Sequence, residues 1–214
     1  MSFLDTHKPR RVPSKTLLLS AAVLLAVAVL VISVIRLGGR LKSDSIPVTA
    51  DNATLVGASY EILGYIKDAD YAALAAIAHP TRGVLFSPYA TISETSARVF
   101  TPSAIRAFST DKTEYVWGVY DGSAEPISLN PREYVAAFVL DRDFTRATML
   151  GINRVVRSGN ALENITTVRE GIRFVDFHLP PETEDGDWAS LRLGFEEHNG
   201  SLMLTVIMHS EKTV

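Results

Sequence analysis

The chain has 214 residues, 47% hydrophobic and 21% charged, with 21 Lys and Arg, 24 Asp and Glu, and no cysteine. That length fits one folded domain, and the composition excludes a disordered chain. Without cysteine there are no disulfides, thiolate zinc sites, cysteine nucleophiles or lipidated N-terminal cysteine, and a net charge of −3 gives no footprint for nucleic acid.

Residues 16–35, TLLLSAAVLLAVAVLVISVI, carry no charge, Gly or Pro. As a helix they would be about 30 Å long, the thickness of a bilayer core. A cleaved signal would have a shorter apolar run ending in a small-x-small site, whereas Arg36 follows this one directly. The expectation is a single transmembrane signal-anchor over 16–36, after a short basic cytoplasmic tail, 1–15. A polar linker over 37–50 then leads to an extracytoplasmic domain over 51–214. Lys8, Arg10, Arg11 and Lys15 precede the span, and Arg36, Arg40 and Lys42 follow it. This four-to-three bias favours a cytoplasmic N-terminus. Residues 1–40 carry +5 and residues 41–214 carry −8. The basic end therefore suits the anionic membrane surface, and the acidic remainder disfavours polyanionic partners. A cysteine-free exported domain points to a bacterial envelope, so the sequons at Asn52, Asn164 and Asn199 are read as chance.

Beyond the linker, Asp51 caps a predicted helix to about Lys67, with Leu55, Val56, Ile62, Leu63 and Ile66 on one face. A second helix runs from Asp70 to Ala78, and His79-Pro80 ends it. Residues 83–86 read as a strand, 102–108 as a short helix and 115–120 as a strand, with Asp121-Gly122-Ser123 turning the chain. Asn130-Pro131-Arg132-Glu133 combines a favoured cap, a preset φ and a capping-box acid, so a helix should run through Leu140. Residues 172–179 alternate as a strand. Asn199-Gly200 signals a two-residue hairpin that pairs residues whose numbers sum to 399. That register puts Phe195, Leu193, Leu191, Leu204, Val206 and Met208 on one apolar face. It puts Arg192 and His209 together on a polar, outer face. Helices first and an antiparallel sheet last predict an α+β domain.

His79 is a possible base, or a cation resting on the C-terminal carbonyls of its own helix. Arg192 and His209, with Asp187 and Trp188 upstream, could bind an anion or shuttle a proton. Tyr89, Tyr115, Trp117 and Tyr120 could line a pocket or fill a core. The acidic run Glu182, Glu184, Asp185 and Asp187 lacks EF-hand spacing, so no metal is expected there. Ser109-Thr110-Asp111-Lys112 matches S-x-x-K without its partner motifs. Sequence signatures of α/β hydrolases, zincins, P-loops and dinucleotide folds are missing from the chain, and no cofactor is expected.

Three runs resemble a pattern in a family of exported proteins and lipoproteins of Gram-positive bacteria that has no assigned activity. They are His79-Pro80-x-x-Gly83-Val84-x-Phe86-Ser87-Pro88-Tyr89, Trp117-Gly118-x-Tyr120-Asp121-Gly122-Ser123 and Asp187-Trp188-x-Ser190-Leu191-Arg192-Leu193 with Phe195-Glu196. The resemblance covers about residues 55–214. The chain departs from it at the end, where Lys212-Thr213-Val214 replaces a W-T-I terminus, and in the final strand, where Leu202-Met203-Leu204 replaces an aromatic. The helices-then-curved-sheet order is similar to the NTF2-like (cystatin-like) fold, which implies a conical pocket between helices and sheet.

Together these readings make the domain a binding module for a small ligand or an envelope protein partner. The candidate pocket residues are His79, Tyr89, Trp117, Tyr120, Asp121, Asp187, Trp188, Arg192 and His209, with Arg192 holding an anionic group. The alternatives are a cofactor-free pocket enzyme, with His79 or His209 as base oriented by Asp121 or Asp187, and a purely structural envelope module. An enzyme needs a His and a carboxylate converging in one pocket. A structural module needs a filled cone and an exposed apolar patch.

Overall fold

A computed structural model of the chain describes residues 46–47, 49–92, 97–159, 162–183 and 186–212. The expected membrane span and basic tail lie outside these. Among the described residues no helix is long and apolar enough to cross a membrane. The chain from Asp44 to Val214 forms one unit.

The first element, β1 (Ile46–Pro47), falls inside the expected linker and pairs antiparallel with the chain's last strand, so the folded unit starts before Asp51. Helix α1 (Asn52–Lys67) begins where Asp51 accepts a hydrogen bond from the Thr54 amide at 2.8 Å, and it buries Leu55, Ile62, Leu63 and Ile66. Helix α2 (Tyr71–Ile77) is capped the same way by Asp70. Then come β2 (Val84–Ser87), β3 (Arg98–Phe100), α3 (Pro102–Arg106), β4 (Tyr115–Val119) and β5 (Pro126–Leu129). The last two pair as a small separate sheet.

The Asn130 signal opens α4 (Pro131–Tyr134) with the full capping box, but α-geometry lasts one turn. Residues Val135–Val139 widen into a π-helix, whose Leu140 amide reaches back to the Val135 carbonyl. The expected α-helix through Leu140 is thus corrected to an α-turn followed by a π-turn. After β6 (Met149–Ile152) and α5 (Ile165–Val168), the strands β7 (Arg173–Leu179), β8 (Ala189–His198) and β9 (Ser201–Glu211) complete the chain.

The large sheet runs β3-β2-β9-β8-β7-β6, with β1 beside the start of β9. The expected antiparallel sheet is mixed, because β2 joins β9 in parallel. Asn199 and Gly200, both at positive φ (51° and 80°), make the expected hairpin turn. Its pairs sum to 399 from His198–Ser201 to Phe195–Leu204. There Thr205 bulges out, and from Gly194–Val206 onward the sum is 400. Gly194 makes room for this crowding: a Cβ there would lie 2.5 Å from the Ile172 side chain and 3.1 Å from Val206 Cβ.

The bulge reverses the facing of everything after it. Ile207 and His209 join Leu191 and Leu193 on the helix side, while Val206 and Met208 join Arg192 on the other. The helix side carries an aromatic core of Phe86, Phe100, Phe108, Trp117, Tyr134 and Phe138, all buried. The other side was expected to be the outer, polar face. It is covered instead by residues 153–159 and 162–172, which pack Ile165 and Ile172 on Leu85, Phe174, Val206 and Met208. The side chain of Asn164, at the start of this cover, exchanges two 2.8 Å hydrogen bonds with the backbone of Ile92.

Candidate functional site

The nine residues expected to line one pocket fall in four places. Trp117 is fully buried, stacked on Tyr134 at 3.7 Å and 11°, with its Nε1 donating to the Leu129 carbonyl. It fills the core. Trp188, also buried, lies against His178 at 5.7 Å, with the Arg157 guanidinium 5.5 Å from its ring centre.

Arg192 lies on the same face as His178 and is wholly buried. Its Nε is 3.3 Å from Asp176 Oδ2, and its Nη1 bonds Glu163 and the Met208 sulfur. Asp176 Oδ2 also accepts from the Val156 amide at 2.8 Å. Two carboxylates thus surround one guanidinium, so Arg192 is already neutralised and holds no site open for an anion. Burial raises the Glu163 pKa from its ordinary 4.5, against the pull of Arg192.

His209 sits on the opposite face, because Arg192 pairs with Met208 and Leu191 with His209. The expected Arg192–His209 pair therefore does not exist, and the one-residue bulge is the reason. His209 is buried near Phe138 and Phe144, with Nδ1 3.3 Å from the Pro88 carbonyl and Nε2 3.4 Å from Asp141 Oδ2. Its nearest carboxylate is Asp141, and neither Asp121 nor Asp187 takes that role. Tyr89, Tyr120, Asp121 and Asp187 do gather at this end of the sheet. The Tyr89 hydroxyl accepts from the Asp121 amide, and both tyrosine rings approach Phe138. Arg142 links Asp141 to the Asp187 carbonyl. Phe138, in the π-turn, lies against the rings of Tyr89, Tyr120 and His209.

His79 is at the other end. Its amide donates to the Leu204 carbonyl at 2.9 Å, and its carbonyl accepts from Gly83. Leu204 and His209 are five residues apart on β9, roughly 15 Å. The His79 side chain does not reach back to helix carbonyls, as expected of a cation there. Its Nδ1 instead accepts from the amides of Arg82 (3.1 Å) and Thr81 (3.3 Å). The neutral ring must then carry its proton on Nε2. Burial lowers its pKa from the ordinary 6.5, the nearby His198 and two arginines add to this, and Glu196 opposes it. The two imidazoles lie 4.9 Å apart.

His79 lines a cleft of about 370 Å³ with Arg82, Glu170, Gly171, Glu196 and Glu197. Glu196 Oε1 is bound by Arg82. Its Oε2 lies 4.0 Å from Arg169 Nε, and neither atom has a hydrogen-bond partner although both are buried. Among the described residues no three His, Asp or Glu side chains converge as a metal site would require.

Of the nine expected residues only His79 lines this cleft. Arg82, Glu196 and Arg169 went unnoticed because Arg82 lies 114 positions and Arg169 27 positions from Glu196, and the three meet only through the fold. Gly194, two residues before Glu196, is the one local signal: a glycine inside an alternating strand marks a bulge. Compared with protein-family models, with curated protein sequences and with solved structures, the chain matches none.

Proposed function

We propose that the chain is a single-pass membrane protein of a bacterial envelope, with its N-terminus cytoplasmic and an extracytoplasmic, NTF2-like domain that binds a small ligand without transforming it. The uncharged run 16–35 and its basic flank support the anchor and its direction. Helices packed on one face of the sheet support the fold comparison, with an aromatic core filling the space that such folds leave as an open cone.

One observation carries the binding reading over the enzymatic one. The cleft brings a His and a carboxylate together, His79 and Glu196, but the lone pair of His79 is spent on two backbone amides. The neutral ring can donate from Nε2 and has no lone pair left to take a proton from a substrate. We read a pocket with donors and acceptors, whose histidine is not available as a base, as one that holds a ligand.

The test uses the full-length chain in detergent micelles, incubated with a small-molecule extract of bacterial envelopes. The ring signals of His79 and His198 should move and the extract's composition should stay unchanged. Turnover abolished by His79→Gln would establish the enzyme in place of the binder. Unmoved ring signals would leave the structural module.

A further inference from the structure

The unused hydrogen-bonding capacity of the cleft specifies a class of ligand. Glu196 is nine-tenths buried, lines the cleft, and has one oxygen, Oε2, without a hydrogen bond. Arg169 Nε, 4.0 Å away, is an unsatisfied donor. Buried polar groups are nearly always satisfied, so this pair lacks a group that donates to one and accepts from the other. A hydroxyl does both, and two legs of about 2.8 Å span a 4.0 Å gap.

Charge decides against the ionic alternatives. At the Glu196–Arg169 gap Glu196 already faces two guanidiniums, Arg82 and Arg169, so a cationic group placed there would meet a paired carboxylate and two like charges, the exposed Glu170 and Glu197 lining the cleft elsewhere. An anion would meet Glu170, Glu196 and Glu197. The remaining lining group, His79, offers an Nε2 hydrogen. Arg82 is half exposed and bonds the other oxygen of Glu196, Oε1, leaving Oε2 as the unused acceptor. The volume of about 370 Å³ suits one sugar ring or a molecule of similar size.

We propose that the cleft takes an uncharged, polyhydroxylated ligand of sugar type, one hydroxyl bridging Glu196 Oε2 and Arg169 Nε; this rests on the ligand-binding reading above. The full-length chain in micelles, with ¹³C-labelled histidines assigned by His79→Gln and His198→Gln, is titrated separately with glucose, N-acetylglucosamine, L-arginine and inorganic phosphate. A sugar should shift both rings saturably, with an affinity that stays constant as ionic strength rises. Glu196→Gln should weaken it about tenfold or more. Glu170→Gln and Glu197→Gln on the exposed rim should change it less than about threefold, and they keep the test open if Glu196→Gln does not fold.

Saturation by arginine, weakened by the rim variants and by salt, would overturn the proposal in favour of a cation site. Saturation by phosphate would overturn it in favour of an anion site. In both cases the binding reading survives. No movement with any of the four probes would overturn the sugar proposal, while movement or its absence with the envelope extract decides the binding reading separately.

Discussion

Replacing Arg192 with methionine isolates the buried charge cluster. The side chain of Arg192 is fully buried, and it is the positive charge set between Asp176, also fully buried, and Glu163, 15% exposed. Methionine is close in length and keeps an apolar chain beside Met208, so the change removes charge more than volume. Two carboxylates then remain in a low-dielectric site without their cation. Leaving a buried ion uncompensated costs roughly 3–5 kcal/mol. With a urea dependence of about 2 kcal/mol per M, the midpoint should fall by about 2 M at pH 7.5. Urea unfolding of the full chain in micelles, followed by tryptophan fluorescence, measures this. The loss should shrink on acidification, because the stranded Glu163, whose burial already favours the neutral form, can then take up a proton. The sign for the parent chain follows from Glu163. Its folded pKa is raised above the unfolded value, so its contribution is full below about 4.5 and is lost as pH rises through the folded value. Glu163→Gln should therefore be neutral or stabilising at pH 7.5 and should flatten that slope. The reasoning is refuted if Arg192→Met unfolds at the parent midpoint, or if its deficit is the same at pH 5 and pH 7.5.

Trp117→Ala should cost about 3–5 kcal/mol, lowering the melting temperature by about 10 °C, since it removes the ring stacked on Tyr134; a melt within 3 °C of the parent would contradict a filled core. Deleting Thr205 should abolish cooperative folding, seen as rapid proteolysis of residues 51–214, whereas Thr205→Val, which keeps the bulge, should resist protease like the parent. His79 and His178 should both titrate below 6.5, as burial depresses each. Their neutral forms support the fold above 6.5, and that support is lost as pH falls through the depressed values. Ring-signal titration checks this, and either ring titrating above 6.5 would count against it.

The elements that could be read from the sequence are those set by neighbours in the chain. Asp51, Asp70 and the Asn130 box each satisfy amides two or three residues away, and Asn199-Gly200 closes its own turn. The elements that could not be read depend on distant partners. Parallel pairing of β2 with β9 joins Leu85 to Val206, and nothing near Leu85 announces it. The π-turn follows a flawless α-start. The bulge at Thr205 cost the most, because a period-two pattern read through it reverses every later side chain. That one residue dissolved the Arg192–His209 pair, exchanged Val206 and Ile207 between faces, and hid the fact that both faces are covered. The candidate site was legible only at His79, whose Pro80 fixed a helix end. Its partners Arg82, Arg169 and Glu196 are brought in by the sheet.

The stack of Trp117 on Tyr134 has an optical consequence. Rings held at 3.7 Å and 11° in a dense, chiral setting produce near-ultraviolet circular dichroism that vanishes when fixed packing is lost. The second tryptophan, Trp188, sits on the far side of the sheet beside His178. The chain thus carries one tryptophan on each face. Single-tryptophan versions made with Trp117→Phe and Trp188→Phe would show, without any attached dye, whether the two faces melt as one body or in sequence.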